Sequence, residues 1–258
     1  LGYCFRGWEM TTVGTNKIKK RRRGIYLLPN LCTTAALFSG FYAITAAFHN
    51  RFELAAVAIF VSLIMDGLDG RIARLTNTQS EFGAQYDSLS DMMSFAVAPA
   101  LVMYVWSLSN LGKIGWFAAF VHAAGGALRL ARYNAQVGGE DKRYFQGLPS
   151  PSAAMLLASF MWVSLEYGYD GETLQYISLI ITITSGLLMV SNIRYLTFKE
   201  IDFRGEIPFV VAIGMMLSIG MIFAHPPLMV FLLFMVYTIS GPLLTVVLLK
   251  SRRSLRKM

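Results

Sequence analysis

Apolar windows long enough to cross a bilayer recur from one end of this chain to the other, and they leave few folds open. They fall at roughly 26–48, 54–75, 85–108, 112–134, 149–168, 174–196, 208–224 and 227–249. A hydrocarbon core about 30 Å thick needs about 20 apolar residues in a helix to span it. Backbone groups find no water there, so each segment must satisfy its own hydrogen bonds as a helix. The expectation is an all-α, polytopic membrane protein with about eight transmembrane helices. Only 15% of the residues are charged, against about 25% for a soluble domain. Cys4 and Cys32 suggest neither a disulfide framework nor a thiolate metal site, and no cleavable signal pattern is expected at the start.

The windows divide the chain into a basic segment over 1–25, a membrane domain over 26–249 and a basic tail over 250–258. Within the membrane domain, a core of about 26–200 precedes an added helical hairpin at about 207–249, turned at His225-Pro226-Pro227. Lys and Arg set the orientation. With an even number of spans, Lys17–Arg23, Arg71, Arg74, Arg129, Arg132, Lys142, Arg143, Arg194, Lys199, Arg204 and the tail share one side, while Arg51 and Lys113 lie on the other. Both termini are therefore expected in the cytoplasm of a cell whose inner membrane holds the protein, most simply a prokaryote. The net charge of +8 follows from that topology and anionic lipid. No aromatic-basic surface accompanies it, so no nucleic-acid partner is expected.

Against this apolar background stand four aspartates. Asp66 and Asp69 lie on one face of the second helix with Ala73, and Asp87 and Asp91 on one face of the third. A short connection makes these helices antiparallel neighbours, so the carboxylates converge near the cytoplasmic headgroups. Ionised groups in a membrane are costly and point to function. Four like charges repel, and a divalent cation relieves that repulsion. Oxygen ligands alone favour Mg²⁺ or Mn²⁺, and the absence of His or Cys argues against zinc. Gly67 and Gly70 allow a ligand, or another backbone, to come close.

The full pattern, D-x2-D-G-x2-A-R-x8-G-x3-D-x3-D from Asp66 to Asp91, resembles the signature of the CDP-alcohol phosphotransferase family at every fixed position. The resemblance implies a cytidine-diphosphate-linked donor, an acceptor alcohol and release of CMP. It implies Asp66, Asp69 and Asp87 as metal ligands and Asp91 as general base, shared with a second ion. Two ions would clamp a diphosphate and stabilise the leaving oxygen. The resemblance places Asp66, Gly70, Ala73, Arg74 and Gly83 around the nucleotide and diphosphate; Gly67 lies outside its fixed positions but is counted with them. Pro29-Asn30-x-x-Thr33 resembles the family's first-helix element beside the cytidine, although Asn30 also suits a helix N-cap.

Two further stretches bear on the alcohol. Arg129 and Arg132, with Asn134, close the fourth helix at the depth of the aspartates, where they either snorkel or form an anion pocket. Gly147, Pro149 and Ser150 open the fifth helix, as a plain helix start or as an anion site. Together with Gln85–Asp91 these stretches resemble the phosphatidylserine synthase branch of the family. That branch implies CDP-diacylglycerol as donor, L-serine as acceptor and a homodimer, with a cavity open to the cytoplasm and sideways to lipid. Alternatives are another member, such as a phosphatidylglycerophosphate synthase, or a cation transporter using the membrane aspartates. His49, His122 and His225 are scattered and read as structural or interfacial.

Overall fold

Small residues set how closely the first two helices pack. In the computed structural model, which describes residues 27–76, 78, 80–135, 144–196 and 225–255, α1 (Leu27–Phe48) and α2 (Phe52–Leu75) form an antiparallel hairpin. Ala43, Ala46 and Ala47 of α1 are buried with Ala55, Ala56, Ala58 and Ile59 of α2. Short side chains let membrane helices approach where lipid supplies no hydrophobic drive. The Ser62 hydroxyl donates to the Ala36 carbonyl at 2.9 Å and adds a polar pin between them. Asn50 turns the chain at φ 58°, a conformation asparagine tolerates after a helix end.

The third span is one rod of unequal winding. α3 (Glu81–Asp91) passes through a π-helical turn (Met92–Val97) into α4 (Ala98–Trp106). It starts earlier than the expected residue 85, because Ser80 caps it by accepting the Gly83 amide at 3.0 Å. The π turn has a cause in the sequence. Pro99 has no amide to offer the preceding turn, and the ladder widens before it, with the Ala98 amide bonded to the Met93 carbonyl five residues back. Phe95 and Ala96 of this turn are fully buried. A Cβ at Gly40 of α1 would lie 2.8 Å from Ser94 Cα, so the turn sits against α1 with no room for a side chain.

A short 3-10 turn (Leu108–Leu111) leads to α5 (Lys113–Ala135), and β1 (Tyr144–Gln146) precedes α6 (Ser150–Glu166). α6 is the buried column of the bundle, with Ala153, Ala154, Met155, Leu157, Ala158 and Met161 at most 2% exposed. α7 (Gln175–Val190) crosses α5 through glycines: a Cβ on Gly125 would lie 2.4 Å from the Gly186 carbonyl oxygen. His122 is buried at this crossing, its Nδ1 2.8 Å from Ser185 Oγ, which is the structural use expected of it.

The expected sixth helix, 174–196, is too long. Ser191 turns to an extended conformation, and β2 (Arg194–Leu196) pairs antiparallel with β1. The apolar run through Ile193 and Tyr195 suits a strand as well as a helix. α8 (Pro226–Leu255) matches the last expected span. The seventh, 208–224, lies outside the described residues, as do the basic segment before residue 27 and its expected role.

Leu28–Phe48, Glu81–Trp106, Lys113–Ala135 and Pro226–Thr245 are long and apolar enough to cross a membrane. α2 has 24 residues, a rise of about 36 Å, and carries its charges at its ends and near the site. Phe38, Phe41, Trp116, Phe120, Ile180 and Val236 are exposed along the helices, a pattern that faces lipid. The chain is a helical integral membrane protein, as expected.

Candidate active site

The turn between α2 and α3 brings the aspartates together. The Thr76 amide closes the last turn of α2 on Ile72 O at 2.9 Å, and the Thr78 amide reaches Ala73 O at 3.1 Å. Ser80 then starts α3 in the opposite direction. One carboxylate oxygen each from Asp66, Asp69 and Asp87 lies within 4.8 Å of the others. Asp91, one helical turn beyond Asp87, is within hydrogen-bonding range of Asp66. The convergence expected from the spacing is present.

Helix α1 supports this cluster. Thr33 Oγ1 donates to Asp69 Oδ2 at 2.6 Å, with the Pro29 carbonyl 3.1 Å away as a second acceptor. A hydroxyl carries one proton, and the nearer, charged oxygen takes it. On the α3 side, Ser90 Oγ donates to Thr33 O at 3.1 Å and Ser94 Oγ to Ala36 O at 3.1 Å. α1 is thus bonded to both aspartate-bearing helices around one threonine.

The donor set fits a hard divalent ion. Three carboxylates share a small volume, all donors are oxygens, and Asp87 Oδ1 is buried with no hydrogen-bond partner. A buried carboxylate oxygen without a partner is rare unless something else satisfies it. The cluster can hold a metal ion.

Around the cluster the expected nucleotide residues divide into two kinds. Gly67 and Gly70 are exposed, and a Cβ on either would meet nothing within 4 Å; neither is used for packing. Gly83 is close: a Cβ there would lie 3.1 Å from Ser80 Oγ and 3.6 Å from Asn30 Oδ1. α1 starts at Leu27, so Asn30 is inside its first turn and is no N-cap; its side chain points towards Gly83. Arg74 is exposed, and its Nε donates back to Gly70 O at 2.9 Å. Ala73 lies half-buried between Ile72 and Arg74.

The two arginines expected in the acceptor pocket do different things. Arg129 Nη1 donates to Ser150 Oγ at 2.9 Å, its Nε is buried without a partner, and its charge lies within electrostatic reach of Asp91. Arg132 instead binds the end of α7, through Val190 O at 3.0 Å and Asn192 Oδ1 at 3.2 Å, a favourable place for a cation. Asn134 pairs with Ser88 at 3.1 Å, beside Asp87. Gly147 has φ 77°, and a Cβ there would lie 2.3 Å from Met189 O; this turn sets the start of α6. Pro149 precedes α6, and Ser150 is its buried first residue.

Several supports had no role of their own in the sequence pattern. Tyr86 bonds Thr34 at 2.9 Å, next to the aspartates. Tyr195 is fully buried, donates to Thr238 O at 3.2 Å, and its ring lies 5.6 Å from that of Tyr237, tilted by 40°. The signal was present: Tyr237-Thr238 and Ser240-Gly241 interrupt an otherwise apolar span.

The family model for CDP-alcohol phosphatidyltransferases matches residues 26–190. Among curated proteins, the chain is 38% identical over 202 residues to the CDP-diacylglycerol–serine O-phosphatidyltransferase of Helicobacter pylori, covering 78% of this chain and 84% of that one. It is 36% identical to the protein of that name from Methanocaldococcus jannaschii, over 84% of this chain and 94% of that one. A Mycobacterium tuberculosis protein of the same name is 38% identical, over 67% of this chain and 62% of that one.

Proposed function

We propose, starting from a chain that belongs to the CDP-alcohol phosphatidyltransferase family, that it transfers the phosphatidyl group of CDP-diacylglycerol to the hydroxyl of L-serine. The products are phosphatidylserine and CMP. The observation that carries the reading is the cluster of Asp66, Asp69 and Asp87 with Asp91 beside it, in a chain 38% identical to a relative named for this reaction.

Asp66, Asp69 and Asp87 would hold a divalent ion, Mg²⁺ or Mn²⁺, with Asp91 shared towards a second. Bound there, such ions neutralise diphosphate charge and make the phosphorus a better electrophile. The chain's own residues do the rest. Asp91 accepts the proton of the serine hydroxyl, which is a weak nucleophile until deprotonated. The serine oxygen forms a bond to the phosphorus that carries diacylglycerol, the bond from that phosphorus to the CMP oxygen breaks, and CMP leaves with the electron pair. Thr33 fixes the orientation of Asp69. Asn30 and Gly83 border the cytidine, while Gly67, Gly70, Ala73 and Arg74 line the path of the diphosphate. Arg129, held by Ser150, receives the serine carboxylate. Arg132, Asn134, Gly147 and Pro149 shape the pocket by fixing the ends of α5 and α6. The protein acts as a homodimer in a prokaryotic inner membrane, with this site towards the cytoplasm.

The test is CMP release by detergent-solubilised protein given CDP-diacylglycerol and Mn²⁺ or Mg²⁺, with serine, glycerol-3-phosphate, inositol or choline supplied separately. Serine-dependent release that Asp91→Asn lowers by about a hundredfold or more is expected. Release with glycerol-3-phosphate alone would overturn the serine assignment. Ion uptake into vesicles without CMP release from any alcohol would overturn the transferase reading.

A further inference from the structure

The helix α8 lies beyond the residues matched by the family model, yet it reaches the pocket. Its contact begins at β2. Tyr195 is fully buried, and a Cβ on Gly241 of α8 would lie 2.3 Å from Tyr195 Cζ. Only a glycine lets the tyrosine ring lie against the helix there. Tyr195 also donates to Thr238 O, and its ring is 5.6 Å from that of Tyr237. This fixes the rotation of α8 and aims Tyr237 inward. Tyr237 packs against Leu148, Ala153, Met189 and Tyr195, the cluster beneath the start of α6. Ser150, between Leu148 and Ala153, holds Arg129. The Tyr237 phenol and the Arg129 guanidinium are within electrostatic reach of each other, and Arg129 is within reach of Asp91.

Arg129 is therefore gripped at one nitrogen by Ser150, while its Nε is buried without a partner. The bond to Ser150 alone leaves rotation to be fixed by the guanidinium's other neighbours, and bidentate recognition of a carboxylate needs its plane fixed. We propose that Tyr237 is a positioning residue that sets the Arg129 plane for the anionic group of the acceptor, so that α8 contributes to acceptor selectivity. This rests on the assignment of Arg129 to the acceptor pocket.

The test is Tyr237→Phe, which keeps the ring and its packing against Tyr195. Kinetics would be measured on the full chain in detergent with CDP-diacylglycerol, metal and serine, alongside the melting temperature. The KM for serine should rise about tenfold, the scale of one interaction with a charged group, while kcat, the KM for CDP-diacylglycerol and the melting temperature stay within about twofold or a degree or two. In Arg129→Lys, the further change Tyr237→Phe should add little, because both act on one contact. An unchanged serine KM in Tyr237→Phe, or full additivity with Arg129→Lys, overturns the proposal. If the wild type uses glycerol-3-phosphate instead, the serine assignment fails, and the same KM measured for that alcohol decides the role of Tyr237 by the same criteria.

Discussion

Thr33→Val tests whether α1 tunes the metal site from outside it. Valine keeps the shape of threonine at a position only 4% exposed, so packing is little changed. What is lost is the 2.6 Å hydrogen bond to Asp69 Oδ2. A hydrogen bond to a charged group is worth about 1.5–3 kcal/mol, which converts to roughly 10- to 150-fold in an equilibrium constant. Loss of a partner that orients a metal ligand weakens metal binding by about 10–100-fold, and the two ranges agree. Asp69 keeps its hydrogen bond from the Gly70 backbone, so the lower half of the range is expected. The assay is CMP release titrated with Mn²⁺ at saturating donor and serine. The half-activating metal concentration should rise about 10–30-fold, with the rate at saturating metal within a few-fold of wild type. An unchanged metal requirement with a lower maximal rate would refute the reasoning, because Asp69 would then serve the reaction without holding the ion.

Three further outcomes are expected. Gly70→Ala should raise the melting temperature slightly, since alanine gains up to about 1 kcal/mol in a helix and its Cβ meets no protein atom within 4 Å; CMP release should fall, because the diphosphate then meets the methyl group. Gly147→Ala should lose more than about 2 kcal/mol, read as a lower melting temperature, through a left-handed φ and a Cβ placed 2.3 Å from Met189 O. Chelation should abolish CMP release, and returning Mn²⁺ at about 100 times its Kd should add about 2.7 kcal/mol of stability, a gain that Asp69→Asn should largely remove.

The site was more legible in the sequence than the bundle around it. Aspartates in an apolar chain have few reasons to exist, and helical spacing alone put Asp66 with Asp69 and Asp87 with Asp91. The spans were legible because hydrocarbon admits little but helix. What spacing could not show was the division of labour between Arg129 and Arg132: both close α5, and only the position of α7 decides that Arg132 bonds to Val190. The strand at Arg194–Leu196 was hidden because apolar composition in a membrane chain favours helix on every scale. The π turn was readable from Pro99 only with the widened ladder in view. Tyr237 escaped because a tyrosine in a span passes for an interfacial anchor.

The central column has a consequence for how a lipid reaches the chemistry. α6 holds 17 residues, a rise of about 26 Å, within a hydrocarbon layer about 30 Å deep. Its first residue, Ser150, accepts a hydrogen bond from Arg129. A post about 4 Å shorter than the slab around it cannot reach both headgroup planes at once. With the Ser150 end lying under the headgroup plane, as the proposed reaction requires, water and a soluble alcohol would descend to the lipid's phosphorus. The donor need not climb to meet them, and its chains keep the roughly 0.8 kcal/mol per methylene that leaving the bilayer would forfeit.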